Sequence, residues 1–249
     1  MNQTPDQTAS AVRGPVGNGE ATSGNLDLFA LARRACQARD AAHGHRGAFV
    51  RTRQLGPSGE WRGPRDAALA FVEESDVDAA GGLGAVREAG VEMLVAGRDL
   101  SLAERAADAG LTVLWRVPFA QGETDAERLA RLASLERDAP RLAGLLPTPV
   151  GEPYGLDTLR MFALSRLGAL AVPHVWADVT VLGPRLAQMA FGFGADRLFA
   201  PIVAERGLRL GANANNPALT RKEAVTLIRG AGLAACEQLS GGVLEEVTP

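Results

Sequence analysis

Cysteine and histidine are scarce in this chain of 249 residues, and their scarcity limits the cofactors that it could hold. Only Cys36 and Cys236 are present, far apart in the sequence, so we expect no disulfide framework. With three histidines in the chain, a zinc site would need other ligands. An iron–sulfur cluster held by three or four neighbouring cysteines is excluded, because the thiolates are missing.

Lysine, aromatic residues and long apolar runs are also rare. Lys222 is the one lysine among 26 basic residues, the net charge is −3 and the pI is about 5.7. A phosphate-tracking protein normally carries a basic surplus, so we expect no nucleic-acid partner. Aromatic residues make up 5%, which leaves Leu, Val and Ala to build the core. No apolar run reaches the roughly 18 residues of a membrane span. Residues 1–24 lack the features of a signal peptide, so we expect a cytoplasmic protein without a membrane partner.

Thr, Gln, Gly, Ser and Asn are frequent in residues 1–24, and we predict a disordered tail there. A single domain follows at 25–249. Its first helix should be capped by Asn25 and end near Gly44. Helices and short apolar strands then alternate. The predicted strands are 48–54, 76–80, 91–96, 111–117, 142–146, 174–179, 198–203 and 233–238. The later predicted helices are 64–71, 81–89, 101–109, one capped by Thr124, 156–170, 183–193 and 220–230.

This alternation predicts parallel strands joined by helical crossovers. The number of strands for this length favours an α/β fold of the (βα) TIM-barrel-like kind, complete or partial. A doubly wound sheet is the alternative, but no G-x-G-x-x-G follows the first strand. The run Gly81-Gly82-Leu83-Gly84 lacks the third glycine. It is either a tight loop or a weak phosphate contact.

The second half of the chain contains specific sequence blocks. They are AGLTVLWRVPFAQGETDAERLARLASLERD at 109–138, GLDTLRMFALSRL at 155–167, PHVWADVTVLGPRLAQMAFGFGADRL at 173–198 and LTRKEAVTLIRGAGLAACEQ at 219–238. In these blocks the chain resembles the radical S-adenosylmethionine (SAM) enzymes of menaquinone biosynthesis by the futalosine pathway. Aminofutalosine synthase, dehypoxanthine futalosine cyclase and the FO synthase subunits are similar. The resemblance covers about residues 85–240 and implies a (βα) barrel.

The sequence departs from that family where the family's cofactor binds. The resemblance implies a C-x3-C-x2-C loop after the first barrel strand, whose thiolates hold the [4Fe–4S] cluster that cleaves SAM. The corresponding stretch here, LGPSGEWRGP at 55–64, contains no cysteine. The glycine-rich stretch that contacts SAM has no clear match, and Phe119 and Gln121 replace the family's tyrosine and histidine. We therefore predict no cofactor: no [4Fe–4S] cluster and no recognisable SAM site.

Four polar residues in the resembled blocks are candidates for substrate binding. Glu123 and Thr124 match the family's Glu-Thr. Alternatively, Thr124 caps a helix with Glu127 three residues later, and Glu123 lies at the helix's positive end. His174 matches the family's Pro-His, although a histidine at a strand start is commonly a packed residue. Asp178 would be a polar anchor if it points to the carboxyl-end mouth of the barrel, and a solvated carboxylate otherwise.

Three arginines on predicted strands are further candidates. Arg51 and Arg53 share one face of the first strand, and Arg116 lies on a later one. At least one should point into the barrel, where it would need a carboxylate partner or an anionic ligand. Asp76 and Asp78 could be such partners. Substrates of the resembled enzymes carry a carboxylate, which a guanidinium binds with two hydrogen bonds. Outside the barrel, the arginine stems would instead cover a helix.

These observations support three hypotheses. The first is a degenerate, cluster-less homologue that binds a small carboxylated metabolite or acts as an accessory protein in menaquinone formation. The second is a cluster-independent barrel enzyme, a lyase or hydrolase, acting on a related carboxylated metabolite. The third is a structural subunit that partners a cluster-bearing paralogue. The sequence assigns no catalytic residue.

Overall fold

The computed structural model describes residues 26–138, 141–152, 155–203 and 219–247, so the predicted tail lies outside the described residues. The first helix, α1 (Leu28–His43), begins after Asp27, whose carboxylate accepts a hydrogen bond from the Ala30 amide at 2.7 Å. Asp27 is thus the helix cap, and the expected cap, Asn25, is outside the described part. The helix ends at Gly44, as predicted. Nowhere in the described ranges is a helix both long and apolar enough to cross a membrane.

The alternation of helices and strands is confirmed. The other helices are α2 (Gly82–Glu88), α3 (Leu100–Asp108), α4 (Asp125–Asp138), α5 (Leu156–Gly168), α6 (Val179–Phe191) and α7 (Arg221–Gly230). The first strands are β1 (Arg46–Val50), β2 (Thr52–Leu55), β3 (Trp61–Arg62), β4 (Leu69–Glu73), β5 (Met93–Ala96), β6 (Thr112–Phe119) and β7 (Leu142–Pro149). They are followed by β8 (His174–Asp178), β9 (Arg197–Phe199), β10 (Ile202–Val203), β11 (Leu219–Thr220), β12 (Ala234–Gln238) and β13 (Leu244–Glu246).

Eleven of these strands form one curled, mainly parallel sheet in the order β13-β12-β1-β9-β8-β7-β6-β5-β4-β2-β3. β10 and β11 pair with each other. Arg51 alone separates β1, which pairs with β9 and β12, from β2, which pairs with β4 and β3. The continuous segment 46–55 therefore enters the sheet twice: β1 lies between β12 and β9 near one end, and β2 pairs with β4 near the other. The result is a partial TIM-barrel-like fold, which confirms the predicted fold class.

Side chains alternate between the inside of the barrel and the helices outside it. In β5, Met93 and Val95 belong to a cluster made almost entirely of strand residues, whereas Leu94 packs in a cluster that includes helix residues. In β6, Leu114 belongs to the inner cluster. Arg116, two residues further on, therefore faces inward as well.

The predicted helix at 64–71 is wrong, because the chain runs into the extended strand β4. Leu69 and Phe71 pack inside the barrel, while Val72 packs against the outer helices. A short apolar run that is buried on both faces carries no periodicity that separates strand from helix. The predicted strand at 76–80 is also wrong. A 3-10 turn at Glu74–Asp76 and turn hydrogen bonds occupy this stretch instead.

Two further boundaries differ from the prediction. α6 begins at Val179 rather than at residue 183, because the Asp178 carboxylate caps it. Gly183 has φ 73 and forms a kink before Pro184 inside this helix. The predicted strand at 198–203 is divided into β9 and β10, which belong to different sheets. The asparagine-rich loop at 213–216 lies outside the described residues.

Candidate functional site

The carboxyl ends of the parallel strands form the mouth of the barrel, and a partly buried ion triad lies there. Glu73 is the last residue of β4, Arg116 lies on β6, and Asp178 is the last residue of β8. Arg116 Nη2 is 2.8 Å from Glu73 Oε1, and Arg116 Nη1 is 3.3 Å from Asp178 Oδ2. We call these three residues the mouth triad. Because three different strands supply them, the curl of the sheet is what brings them together.

Burial and neighbouring charges shift the pKa values of two members of the triad, Glu73 and Arg116. Burial raises the pKa of Glu73, although the positive charge of Arg116 acts in the opposite direction. Burial acts to lower the pKa of Arg116, but Glu73 and Asp178 outweigh it, so that the pKa is raised. Arg116 therefore stays charged, whereas burial favours the protonated form of Glu73.

Asp178 has two roles in this arrangement. It is 1% exposed, and its Oδ1 accepts hydrogen bonds from the Thr180 amide at 2.9 Å and hydroxyl at 2.6 Å. Its other oxygen faces Arg116. The structure thus places Asp178 inside the mouth, which is the first of the two alternatives that the sequence left open for it. There it orients the guanidinium of Arg116 and also starts α6.

Two cavities meet at the triad, and Glu73 and Arg116 line both. The larger, about 540 Å³, extends over the carboxyl end of β5 towards Glu74 and Arg98. The smaller cavity, of about 370 Å³, extends over β2 and β9 and is lined by some polar and some aromatic side chains. These include Thr52, Gln54, Arg62, Phe71, Thr180 and Phe199. Both volumes fall in the range of sites for small molecules.

The sequence analysis missed Glu73 and Glu74. Glu74 accepts hydrogen bonds from three consecutive amides, those of Gly97, Arg98 and Asp99, at 2.7–3.0 Å. It therefore shapes the wall of the larger cavity. The sequence does contain a signal for them, because two glutamates directly follow an apolar run. That signal indicates a site at the mouth only if the run is a strand, and the prediction of a helix there gave the glutamates no such position.

The other two candidate arginines face outward. Arg51 Nε is 2.7 Å from Glu237 Oε1, and Arg51 also pairs with Asp66. The guanidinium of Arg53 lies 4.1 Å from the ring centre of Trp61. The suggested partners Asp76 and Asp78 form no ion pair with the three arginines in the described part of the chain. They follow β4 in a turn, and Asp78 lines the larger cavity.

Glu123 and Thr124 lie at the start of α4 rather than in the triad. Thr124 and Glu127 form reciprocal hydrogen bonds of the capping-box type, with the Thr124 amide 2.8 Å from Glu127 Oε2. Glu123 pairs with Arg131 at 2.7 Å, and this hydrogen bonding lowers the pKa of Glu123. Both residues thus make the contacts of the helix-start alternative.

His174 lies at the opposite end of the barrel from the triad. It is the first residue of β8, and its Nδ1 is 2.6 Å from Asp196 Oδ2. The structure does not bring it to Arg116. Its surroundings form a separate polar cluster around Asp196.

The side chains at the mouth do not fit a thiolate-held cluster. Segment 55–64 contains the end of β2, the connection at residues 56–60 and the short strand β3, and there Glu60 is hydrogen-bonded to Ser58 and Arg62. Cys36 lies in α1, with its Sγ 3.2 Å from the carbonyl oxygen of Gly192 at the end of α6. Cys236 lies in β12, opposite Ala48. The donors at the mouth are carboxylates, hydroxyls and guanidinium groups, which are poor ligands for iron–sulfur clusters.

No protein-family model matches the sequence, and a comparison with curated proteins gives no match either. Solved structures do share the fold. Methylornithine synthase (PylB) matches with a TM-score of 0.61 and 11% identity, over 85% of this chain and 90% of that one. HydG, a maturase of the [FeFe]-hydrogenase, matches with a TM-score of 0.57 and 11% identity, over 84% and 68%. HydG from Carboxydothermus hydrogenoformans matches with a TM-score of 0.54 and 11% identity, over 85% and 76%. These likenesses show that the chain shares the barrel fold of these proteins.

Proposed function

We propose that this chain is a cluster-less relative of the radical SAM enzymes that binds a small carboxylated metabolite at the barrel mouth. The observation that carries the proposal is the meeting of two cavities at an inward-facing arginine, in a barrel whose thiols lie elsewhere. The sequence blocks at 109–138, 155–167, 173–198 and 219–238 connect the proposal to menaquinone formation by the futalosine pathway. The proposed role there is ligand binding or accessory, without radical chemistry.

A carboxylate ligand must compete with two protein carboxylates for Arg116. Glu73 offers a solution, because burial raises its pKa and protonation would release one side of the guanidinium. The ligand's carboxylate would then take over the two hydrogen bonds that Glu73 now accepts. The hydroxyls of Thr52 and Thr180 lie along the smaller cavity and suit the ligand's polar atoms. Binding should therefore be accompanied by the uptake of one proton.

Calorimetry with benzoate, and with benzamide as its neutral counterpart, tests this directly. We expect benzoate to bind more tightly, with proton uptake visible as a dependence of the heat on the buffer's ionisation enthalpy. Arg116→Met should abolish the preference for benzoate, whereas Arg53→Met, an outward-facing control on β2, should keep it. Equal affinities for benzoate and benzamide, or an unchanged preference in Arg116→Met, would contradict carboxylate binding.

Iron and sulfide analysis tests separately whether the chain lacks a [4Fe–4S] cluster. After anaerobic reconstitution with iron and sulfide, the protein should contain no stoichiometric iron and show no charge-transfer absorption band. An intact [4Fe–4S] cluster would overturn this part of the proposal, even if benzoate bound as expected.

One observation favours a second candidate, a cluster-independent lyase or hydrolase. Glu73 combines a raised pKa with a position on both cavities, which suits a general acid or base. Glu73→Gln keeps the shape and removes the titration. Under this alternative it abolishes turnover of a carboxylated substrate while leaving binding in place. Under the binding proposal it removes the proton uptake and strengthens benzoate binding, because a neutral amide competes less for Arg116.

A further inference from the structure

A second polar cluster lies at the amino end of the barrel, opposite the mouth, and centres on Asp196. Asp196 immediately precedes β9 and is 3% exposed. Its Oδ1 accepts hydrogen bonds from Arg166 of α5 and from the Val175 amide, the latter at 2.8 Å. Its Oδ2 lies 3.5 Å from Arg197 Nε. One buried carboxylate thus faces two guanidinium groups.

Two histidines complete the cluster. His174 Nε2 is 3.3 Å from Arg197 Nη2, and a guanidinium can only donate, so Nε2 accepts. Its Nδ1 then carries the proton and donates to Asp196 at 2.6 Å. His43 stacks on His174 with ring centres 4.8 Å apart, and burial lowers the pKa of His43.

A cation is a poor occupant for this cluster, although its geometry at first suggests one. Donor atoms of His43, His174 and Asp196 all lie within 4.8 Å of one another, a spacing that metal ligands can have. The two arginines already neutralise the carboxylate and would repel a metal ion. His174 would also have to lose its hydrogen bond to Asp196 or to Arg197.

The charge that lacks a counter-charge is positive and lies on Arg197. Arg166 is bound to Asp196 and to the carbonyl oxygens of Pro173 and Gly194. Arg197 has a longer contact to the same carboxylate, at 3.5 Å, and contacts to the ring nitrogens of His174 at 3.3 and 3.5 Å. Arg197 Nη1 is buried and has no hydrogen-bond partner among the described residues. Buried charges in proteins are normally paired, so an anion is the expected missing partner.

A cavity of about 150 Å³ lies at this place and is lined by Arg46, Arg197, His43, Leu244 and the acidic residue Asp196, among others. Its volume is roughly ten times what one water molecule needs. Arg46 is the first residue of β1 and is exposed, so it can move toward a ligand. Burial raises the pKa of the neighbouring Cys236, so this thiol does not supply the missing negative charge.

We propose that this cavity binds a small oxyanion, with inorganic phosphate as the representative ligand, between the guanidinium groups of Arg46 and Arg197. Arg197 supplies a buried guanidinium in the cavity wall, whose unpartnered Nη1 turns toward the anion on binding, and Arg46 closes over the anion from the solvent side. Two guanidinium groups can donate to different oxygens of one phosphate. The site is independent of the proposed function at the mouth, because it lies at the other end of the strands.

Calorimetric titration of the full chain with sodium phosphate, at ionic strength held constant with chloride, tests the proposal. We expect one saturable site. Arg46→Gln should weaken phosphate binding by about tenfold or more, since it removes a charge-assisted contact. Arg105→Gln removes an exposed arginine from α3 and is the matched control, with the expected affinity within about twofold of the unchanged protein.

Two results would overturn the proposal. The first is the absence of saturable binding at about 10 mM phosphate, which would fill a site with a Kd below about 1 mM. The second is an equal loss in Arg46→Gln and Arg105→Gln, which would indicate non-specific attraction by surface charge. Arg197→Gln is expected to lose binding as well. If it fails to fold, the exposed Arg46 still decides the question.

Discussion

Replacing Arg116 by methionine tests whether the mouth triad stabilises the barrel. The substitution keeps most of the apolar stem and removes the charge. It leaves Glu73 and Asp178 facing each other across the mouth, with side chains 25% and 2% exposed. Removing one member of a buried ion pair costs about 3–5 kcal/mol. Partial exposure of Glu73 and the retained hydrogen bonds from Thr180 to Asp178 reduce this, so we expect a loss of about 2–3 kcal/mol at neutral pH.

The loss should depend on pH, and the direction follows from Glu73. Burial raises the pKa of this carboxyl in the folded protein, and removing Arg116 raises it further. A group with a raised folded pKa contributes its stability while protonated, and this contribution disappears as the pH rises through that pKa. Arg116→Met should therefore cost less near pH 5 than near pH 7.

Urea unfolding of both proteins at the two pH values measures the effect, provided that the slope of the transition is unchanged. Arg53→Met, whose guanidinium lies over Trp61 outside the barrel, should cost less than about 1 kcal/mol. A loss in Arg116→Met that is no larger than this control, or that is the same at both pH values, would refute the electrostatic account of the triad.

Three further predictions concern local structure. Thr220→Ala should destabilise the protein by about 1 kcal/mol, because it removes the capping box of α7, and Thr220→Ser should restore most of it; calorimetric melting measures both. The pKa of Glu60 should be about 2 in a carbon-detected NMR titration, since Ser58 and then Arg62 donate to its carboxylate; an ordinary value would contradict these contacts. Gly183→Ala should cost about 1 kcal/mol or more in chemical denaturation, because φ is 73 at this kink; an unchanged midpoint would mean that α6 straightens without strain.

The alternation of strands and helices was predictable because each element carries its own local signal. Strand periodicity also predicted that at least one of Arg51, Arg53 and Arg116 points into the barrel, and the structure shows that Arg116 does, on the same face as Leu114. Capping boxes at Thr124 and Thr220 were equally local, since each donor and acceptor lie within three residues.

The partners of the charged residues could not be predicted in the same way. Glu73 meets Arg116, and Arg51 meets Glu237, only because the sheet curls and brings distant strands together. The spacing of residues in the sequence does not indicate which distant charged residues form such pairs. The wrong helix at 64–71 had a second consequence. Because β4 was predicted as a helix, Glu73 at its carboxyl end was not predicted to lie at the mouth.

The position of Arg51 between β1 and β2 has a consequence for how the chain folds as it is synthesised. The early strand β1 finds its neighbours in β9 and β12, which are among the last elements to leave the ribosome. Until then β1 has unpaired backbone groups along its length, while β2 can already pair with β4. Such distant pairing slows folding and exposes a strand edge to aggregation. A nascent chain stopped before residue 197 should therefore be soluble only with a chaperone bound.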